Sequence, residues 1–286
     1  MQFAILNITP DSFSDGNETN LDASCSLAKA KELRQTGADF IDIGAESTRP
    51  GANTINHEIE LARLIPFLDL LEAQGSELSG RLSLDSRNPH VIQKVFQDYG
   101  KHFAFVNDVT GLQNRELLKV VAQQVDPKVK LISMHSKGGV PPSIKAAEIR
   151  DDFYEMGLLE DLKRFWDQTI MTCQEFGIDS DRLILDPGLG FGKNLNHSLE
   201  ILELIPKLKQ EFALPILIGA SRKSFLALWH ASSLPSSLRY DATQPGKEQD
   251  QLTQEYNELA VKQGVNYLRN HVIATALPVA DVECYN

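Results

Sequence analysis

The chain has 286 residues, 42% of them hydrophobic, and carries 28 Lys and Arg against 39 Asp and Glu, a formal net charge of -11. Such a length supplies one large core or two ordinary domains. The acidic balance, with no Lys/Arg block, excludes nucleic acid and anionic membrane as partners, so a small anionic substrate requires a locally basic pocket.

The predicted elements alternate along the chain. FAILNI (3–8) reads as a strand and runs into NITPDSFSDG (7–16), where Pro10 and Gly16 bracket a loop with Phe13 standing among Asp11, Ser12, Ser14 and Asp15. An aromatic ring in so polar a loop fits a lid that closes over a substrate. LDASCSLAKAKELRQTGA (21–38) has helical spacing and leads to the strand DFIDIG (39–44), which ends in a loop crowded with Glu46, Ser47, Thr48 and Arg49 and turned by Pro50-Gly51. A second helix, HEIELARLIPFLDLLEAQ (57–74), precedes the strands RLSLDS (81–86), FAFVND (103–108) and KLISMH (130–135). LLEDLKRFWDQTIMTCQEFG (158–177) is helical again, followed by the strands RLILDP (182–187) and PILIGA (215–220). ASRKSF (220–225) opens a helix, residues 231–249 read as a long polar loop, and the polar helix DQLTQEYNELAVKQG (250–264) leads into the last strand, NYLRNH (266–271). Gly37, Gly177 and Gly264 fall where helices end in a left-handed residue. Eight strands alternating with helices, with no break in composition, predict one (β/α)8 barrel domain over 1–286. An open doubly wound sheet would place G-x-G-x-x-G in its first turn, and none is there.

Each predicted strand delivers a polar residue to the same end: Asn7, Asp42, Asp85, Asn107, His135, Asp186, Ser221, and Arg269 with His271. In a barrel that rim is the catalytic face. Residues of this kind also cap helices and satisfy loop backbone. Three carboxylates and two carboxamides together are costly to bury without partners, which points to a ligand rich in donors and acceptors.

Two glycine-rich segments refine that ligand. DPGLGFGKN (186–194) fails as a nucleotide phosphate loop, because Pro187 stands where the first glycine belongs and Asn194 where Ser or Thr would hold magnesium. Asp186 instead offers a carboxylate to a guanidine-like edge, as in guanine or pterin. In ASRKSF, the helix N-terminus together with Arg222 and Lys223 favours an anion. Cys25, Cys173 and Cys284 have no C-x-x-C spacing, and with no signal peptide or apolar run of membrane length the expectation is a soluble, cytoplasmic protein with reduced thiols. His135 reads as a packed, hydrogen-bonded histidine; His57, His90, His102, His197 and His230 read as surface or cap residues.

Taken in order, ILNITPDSFSDG, IDIGAESTRPGA, LSLDS, VNDV, MH, LILDPGLGFGK, GASRKSF and LRNH span nearly the whole chain. In these motifs it resembles the dihydropteroate synthase family. The resemblance implies a (β/α)8 barrel, a homodimer, and magnesium-dependent condensation of 6-hydroxymethyl-7,8-dihydropterin pyrophosphate with p-aminobenzoate. It also implies site residues. Asp85, Asn107, Asp186 and Lys223 would hold the pterin, and Asn7, Thr48, Arg49, Arg269 and His271 the pyrophosphate, with Asn7 a magnesium ligand. Phe13, Pro50, Phe191, Lys223 and Ser224 would surround p-aminobenzoate, and Lys223, Arg49, Asp15 and Asp85 would act in catalysis. Asp42 would order the pocket base.

The chain departs from the family pattern at its last motif, usually R-V-H-D: here Asn270 and Val272 flank His271, so the position after the imidazole has no carboxylate to orient it. The helix at 250–264, part of the dimer interface in relatives, is more polar than usual. Two further functions fit parts of the pattern. A methyltetrahydrofolate–corrinoid methyltransferase barrel would keep the aspartates and Asn107 but has no need of the ESTRPG loop. A catalytically silent pterin-binding paralogue is compatible with the altered RNHV segment.

Overall fold

A computed structural model describes residues 1–9, 23–47, 53–75, 77–137, 148–233 and 247–273. Its strands are β1 (Gln2–Asn7), β2 (Phe40–Gly44), β3 (Leu82–Asp85), β4 (Phe103–Asp108), β5 (Lys130–Met134), β6 (Leu183–Asp186), β7 (Leu217–Ile218) and β8 (Tyr267–Asn270). They pair in the order β6-β5-β4-β3-β2-β1-β8-β7, every pair parallel. A bridge between Leu185 and Ile216 joins β6 to β7, so the sheet closes on itself. Among the described residues, one α-helix follows each of β1 to β6 and two lie between β7 and β8: α1 (Ala23–Gln35), α2 (His57–Gln74), α3 (Pro89–Tyr99), α4 (Arg115–Gln124), α5 (Leu158–Glu175), α6 (Leu195–Phe212), α7 (Ser224–Ser233) and α8 (Lys247–Lys262). The predicted barrel is present.

Two departures from the predicted elements have local causes. β7 shrinks to two residues because Pro215, without an N–H, contributes only its carbonyl oxygen, which accepts from Leu185 N at 2.9 Å. The polar stretch 231–249 is shorter than predicted, since α7 runs on to Ser233 and α8 begins at Lys247; Ala and Ser extend the first, and Lys, Glu and Gln start the second without breaking helix propensity.

The period of two along each strand positions the site. Phe3, Phe105, Ile132, Ile184 and Leu217 form a separate core inside the barrel, with Phe40 and Tyr267 packed on it. Phe3 sits edge-on to Phe105 with ring centroids 4.8 Å apart, the T-shaped arrangement that ring quadrupoles favour. Their neighbours in sequence, Ala4, Ile41, Val106, Leu131 and Leu183, face the helices in a second core. Continuing the alternation toward the strand C-termini turns Asn7, Asp42, Asp85, Asn107, Asp186 and Arg269 inward, above an aromatic floor. Register then brings Gly44 beside both Asn7 and Asp85, and Asp85 beside Asn107. Asn270 falls on the outward side, where it is buried and its Oδ1 accepts from Asn257 Nδ2 of α8 at 2.9 Å.

The loop after β6 lies directly on the end of β5. Gly188 has φ 67°, and a Cβ there would meet the His135 carbonyl oxygen at 2.0 Å. Gly188→Ala is therefore expected to lose about 3 kcal/mol of stability, read as a lowered thermal midpoint; an unchanged midpoint would mean that the loop relaxes away from β5.

Candidate active site

The centre of the site is an arginine shared by two carboxylates. Arg269 Nε donates to Asp42 Oδ2 at 2.5 Å and its Nη2 to Asp85 Oδ2 at 2.6 Å. Asp42 Oδ2 also accepts from Asn107 Nδ2 at 3.1 Å. That bond settles the orientation of the Asn107 amide: its donor end is occupied, and its carbonyl oxygen remains to accept from a ligand. Asp42 is buried, with Oδ1 unpartnered among the described residues. Burial raises the Asp85 carboxyl to about 7 against the pull of Arg269. Burial also works against the Arg269 charge, but Asp42 and Asp85 more than offset it, so the guanidinium stays protonated. Its third nitrogen, Nη1, donates to no other described residue, and the side chain is 23% exposed.

Asp186 stands across the mouth. One oxygen, Oδ1, accepts from Gly188 N at 2.7 Å, so the turn after the strand fixes the carboxylate plane. Oδ2 has no hydrogen-bond partner among the described residues, and the residue keeps 7% of its surface exposed. Burial raises this carboxyl too, with the positive charge of Lys223 opposing. Lys223 comes from the turn before α7; its Nζ donates to the Leu189 carbonyl oxygen and lies 4.8 Å from the centre of the Phe191 ring. Burial brings its ammonium down to about 8, with Asp186 resisting.

A second cluster borders the first residue of α7. Ser221 Oγ lies 3.0 Å from His271 Nδ1 and accepts from the His271 backbone N–H at 3.1 Å. The serine hydroxyl thus orients the imidazole that Val272 cannot. Ser224 is exposed at the start of α7, beside Lys223. Arg222 does not join the anion pocket: its guanidinium makes two bonds to Asp250 of α8, at 2.8 and 3.0 Å.

Among the predicted site residues, Asp85, Asn107, Arg269, Asp186, Lys223 and Phe191 occupy the mouth, with Asn7 beside Gly44 at its edge and Ser224 and His271 on its lip. Phe13, Asp15, Thr48, Arg49 and Pro50 lie outside the described residues. The base of the polar loop after β2 is secured by Glu46, whose two oxygens take Arg87 Nε and Nη2 at 2.8 and 2.9 Å. A cleft of about 500 Å³ opens beside that pair toward Thr110 and Asn114, and its lining includes none of Asp85, Asn107, Asp186 or Lys223. Sequence reasoning missed Lys193 and Asp161, which meet at His135 below the mouth. Lys193 was visible as the end of LGFGK but had no motif to explain it; Asp161 carries no signal, since it lies in an ordinary helical run. His102, predicted at the surface, is buried and held by Glu72 at 2.7 Å.

The protein-family model described as "Pterin binding enzyme" matches residues 3–271. Dihydropteroate synthase of Escherichia coli strain K12 is 37% identical over 224 residues, 78% of this chain and 73% of that one. The chain belongs to the dihydropteroate synthase family. Membership makes it a transferase. Among solved dihydropteroate synthases, the Xanthomonas albilineans enzyme with 4-aminobenzoic acid superposes with a TM-score of 0.76 at 32% identity, covering 96% of this chain and 88% of that one. The same enzyme with 7,8-dihydropteroate gives 0.73 at 30% identity, with 96% and 88% covered. The described barrel therefore has structural counterparts among solved dihydropteroate synthases.

Proposed function

We propose that the chain condenses 6-hydroxymethyl-7,8-dihydropterin pyrophosphate with p-aminobenzoate to give 7,8-dihydropteroate and pyrophosphate, a step of folate biosynthesis. The observation that carries this is the pairing of an open Asp186 carboxylate with the Asp42–Arg269–Asp85–Asn107 cluster across one barrel mouth. A flat heterocycle laid between them presents its 2-amino and N3 protons to Asp186 as charge-assisted bonds, each contributing about 1.5–3 kcal/mol. Asn107 accepts from the opposite edge, and Lys223 donates to a ring acceptor. The methyltransferase and silent-paralogue readings draw no specific support from this arrangement.

The chemistry follows from charge. The bond between the pterin methylene carbon and the pyrophosphate oxygen breaks, and its electron pair leaves with pyrophosphate. The aniline nitrogen then forms the new carbon–nitrogen bond and gives up a proton to water. Arg269 Nη1 and His271 supply positive charge beside the departing group. Asp85 and Asp186 stabilise positive charge that develops on the pterin. Lys223, Phe191 and Ser224 line the approach of p-aminobenzoate, whose carboxylate finds the helix N-terminus. Thr48, Arg49, Asp15, Phe13 and Pro50 are assigned to the two loops that complete the site.

The donor set suits magnesium. No hydrogen bond links the Asn7 carboxamide to another described residue, and one neutral oxygen fits an ion held chiefly by phosphates and water; Asn7 is its proposed protein ligand. Bound magnesium supplies charge neutralisation on the leaving group. Among the described residues no cluster of three or more His, Cys, Asp or Glu is placed to hold an ion without substrate. A homodimer is proposed as well, supported by Leu228 and Leu259, exposed on α7 and α8, together with a cytoplasmic location, supported by the odd number of cysteines and their lack of C-x-x-C spacing. Among the described residues no helix is long and apolar enough to cross a membrane.

Pyrophosphate release, measured with both substrates and magnesium and with each omitted in turn, tests the function. Release that requires all three supports it; release independent of p-aminobenzoate, or none, refutes it. The pH dependence is a second check. A lysine whose ammonium is depressed to about 8 loses its charge as pH rises through that value, so kcat/KM is expected to fall above pH 8. The Lys223→Met variant is expected to give a low profile without that limb.

A further inference from the structure

Below the mouth lies a lysine that touches no proposed substrate. Lys193 is wholly buried, with Nζ 2.9 Å from His135 Nδ1, 3.2 Å from the Phe191 carbonyl oxygen and 3.4 Å from the His135 carbonyl oxygen. An amine donating to Nδ1 fixes His135 as the tautomer protonated at Nε2. That N–H meets Asp161 Oδ1 of α5 at 2.9 Å, and the other Asp161 oxygen takes Lys137 Nζ at 2.9 Å. Burial, with Lys193 and Lys137 adding to it against Asp161, lowers the imidazole to about 4, which keeps the ring neutral and able to accept. Burial also lowers Lys193 to about 7, opposed by Asp186 and Asp161 and reinforced by Lys223 and Lys137.

A hydrocarbon side chain would fill the same space without the desolvation cost of an amine, so its hydrogen bonds are what distinguish it. Those bonds tie the end of the β6–α6 loop to the end of β5. The middle of this loop is the part that contacts Lys223: the Leu189 carbonyl oxygen accepts from its Nζ, the Phe191 ring lies against it, and a Cβ on Gly190 would come within 3.3 Å of its Cδ.

We infer that Lys193 is a positioning residue for the transfer reaction, anchored on His135, which fixes the β6–α6 loop so that Leu189 and Phe191 hold Lys223 where p-aminobenzoate arrives. The inference rests on the function proposed above, because it is the meeting of Lys223 with that substrate that the loop is said to set.

Lys193→Met keeps the stem and removes the donors. The loss leaves the buried His135 Nδ1 and two carbonyl oxygens without their donor, partly offset by relief of the amine's desolvation, so the melting temperature is expected to fall by only a few degrees. KM for p-aminobenzoate is expected to rise roughly tenfold, with the dissociation constant for pterin pyrophosphate changed less than about threefold. Amide hydrogen exchange at Gly188 and Phe191 is expected to accelerate about tenfold. Both changes are required: a normal KM, or normal loop exchange, overturns the inference. The exchange measurement needs no turnover. If the wild-type protein makes no dihydropteroate, the function above fails, and loop exchange alone decides whether Lys193 holds the loop. Should Lys193→Met not fold, Asp161→Asn loosens His135 from the helix side and is read in the same way, with smaller changes of the same sign; wild-type exchange and KM in that variant overturn the inference.

Discussion

Asp186→Asn is expected to lower kcat/KM for the pterin pyrophosphate by roughly a thousandfold while leaving the fold intact. The carboxylate holds its place through Gly188 N at 2.7 Å, and the Asn carbonyl oxygen can keep that bond. What the amide loses is the second acceptor. Its NH2 group would face the donor edge of the ring, so two charge-assisted bonds become one neutral bond and one repulsive contact, a loss of about 4 kcal/mol. Neutralising a buried carboxyl whose charged form burial disfavours also relieves desolvation, so the thermal midpoint is expected to stay level or rise. A variant with near-normal kcat/KM would place the ring elsewhere.

Arg269→Met is expected to damage both stability and catalysis. Arg269 is the shared partner of two carboxylates, one wholly buried and the other only 14% exposed in its side chain. Without it, Asp42 retains only the Asn107 amide, and the two acids face each other unpaired. Breaking a buried pair on one side costs about 3–5 kcal/mol, which corresponds to a fall of roughly 10 °C in the thermal midpoint for a barrel of this size. Adding Asp42→Asn removes one of the stranded charges and is expected to restore about half of that loss, but not the activity, because the cation beside the leaving group is still missing. Additive destabilisation in the double variant would show that the arginine does not balance Asp42.

These two residues mark how far the sequence can be read. Asp186, Asp85, Asn107 and Asn7 were legible because each ends a short apolar run, and a strand's period of two turns every such terminal residue toward the same interior. The eightfold alternation that makes the barrel is equally local, and it failed only where Pro215 withheld an N–H and where helix-compatible residues extended α7 and α8. The Arg269 contact with Asp42 was not legible: 227 positions separate the residues, and only closure of β8 onto β1 brings them together. The cationic pair Arg222 and Lys223 reads alike in sequence, yet Asp250 of a later helix claims Arg222 while Lys223 turns into the mouth. Val272 looked like a loss for His271 because the compensating hydroxyl, Ser221, comes from another strand end. Asn270 similarly finds Asn257 on α8. In each case periodicity named the position, and a partner distant in the chain decided its role.

The central claim is that one barrel mouth holds the pterin between Asp186 and the Arg269 cluster. A crystal structure of the protein with the pterin pyrophosphate and magnesium measures it most directly. The account predicts the 2-amino and N3 nitrogens within hydrogen-bonding distance of Asp186, Asn107 accepting from the opposite edge, and the diphosphate beside Asn7, Arg269 and His271. A ring bound outside this mouth, or seated in it with Asp186 unengaged, would contradict it.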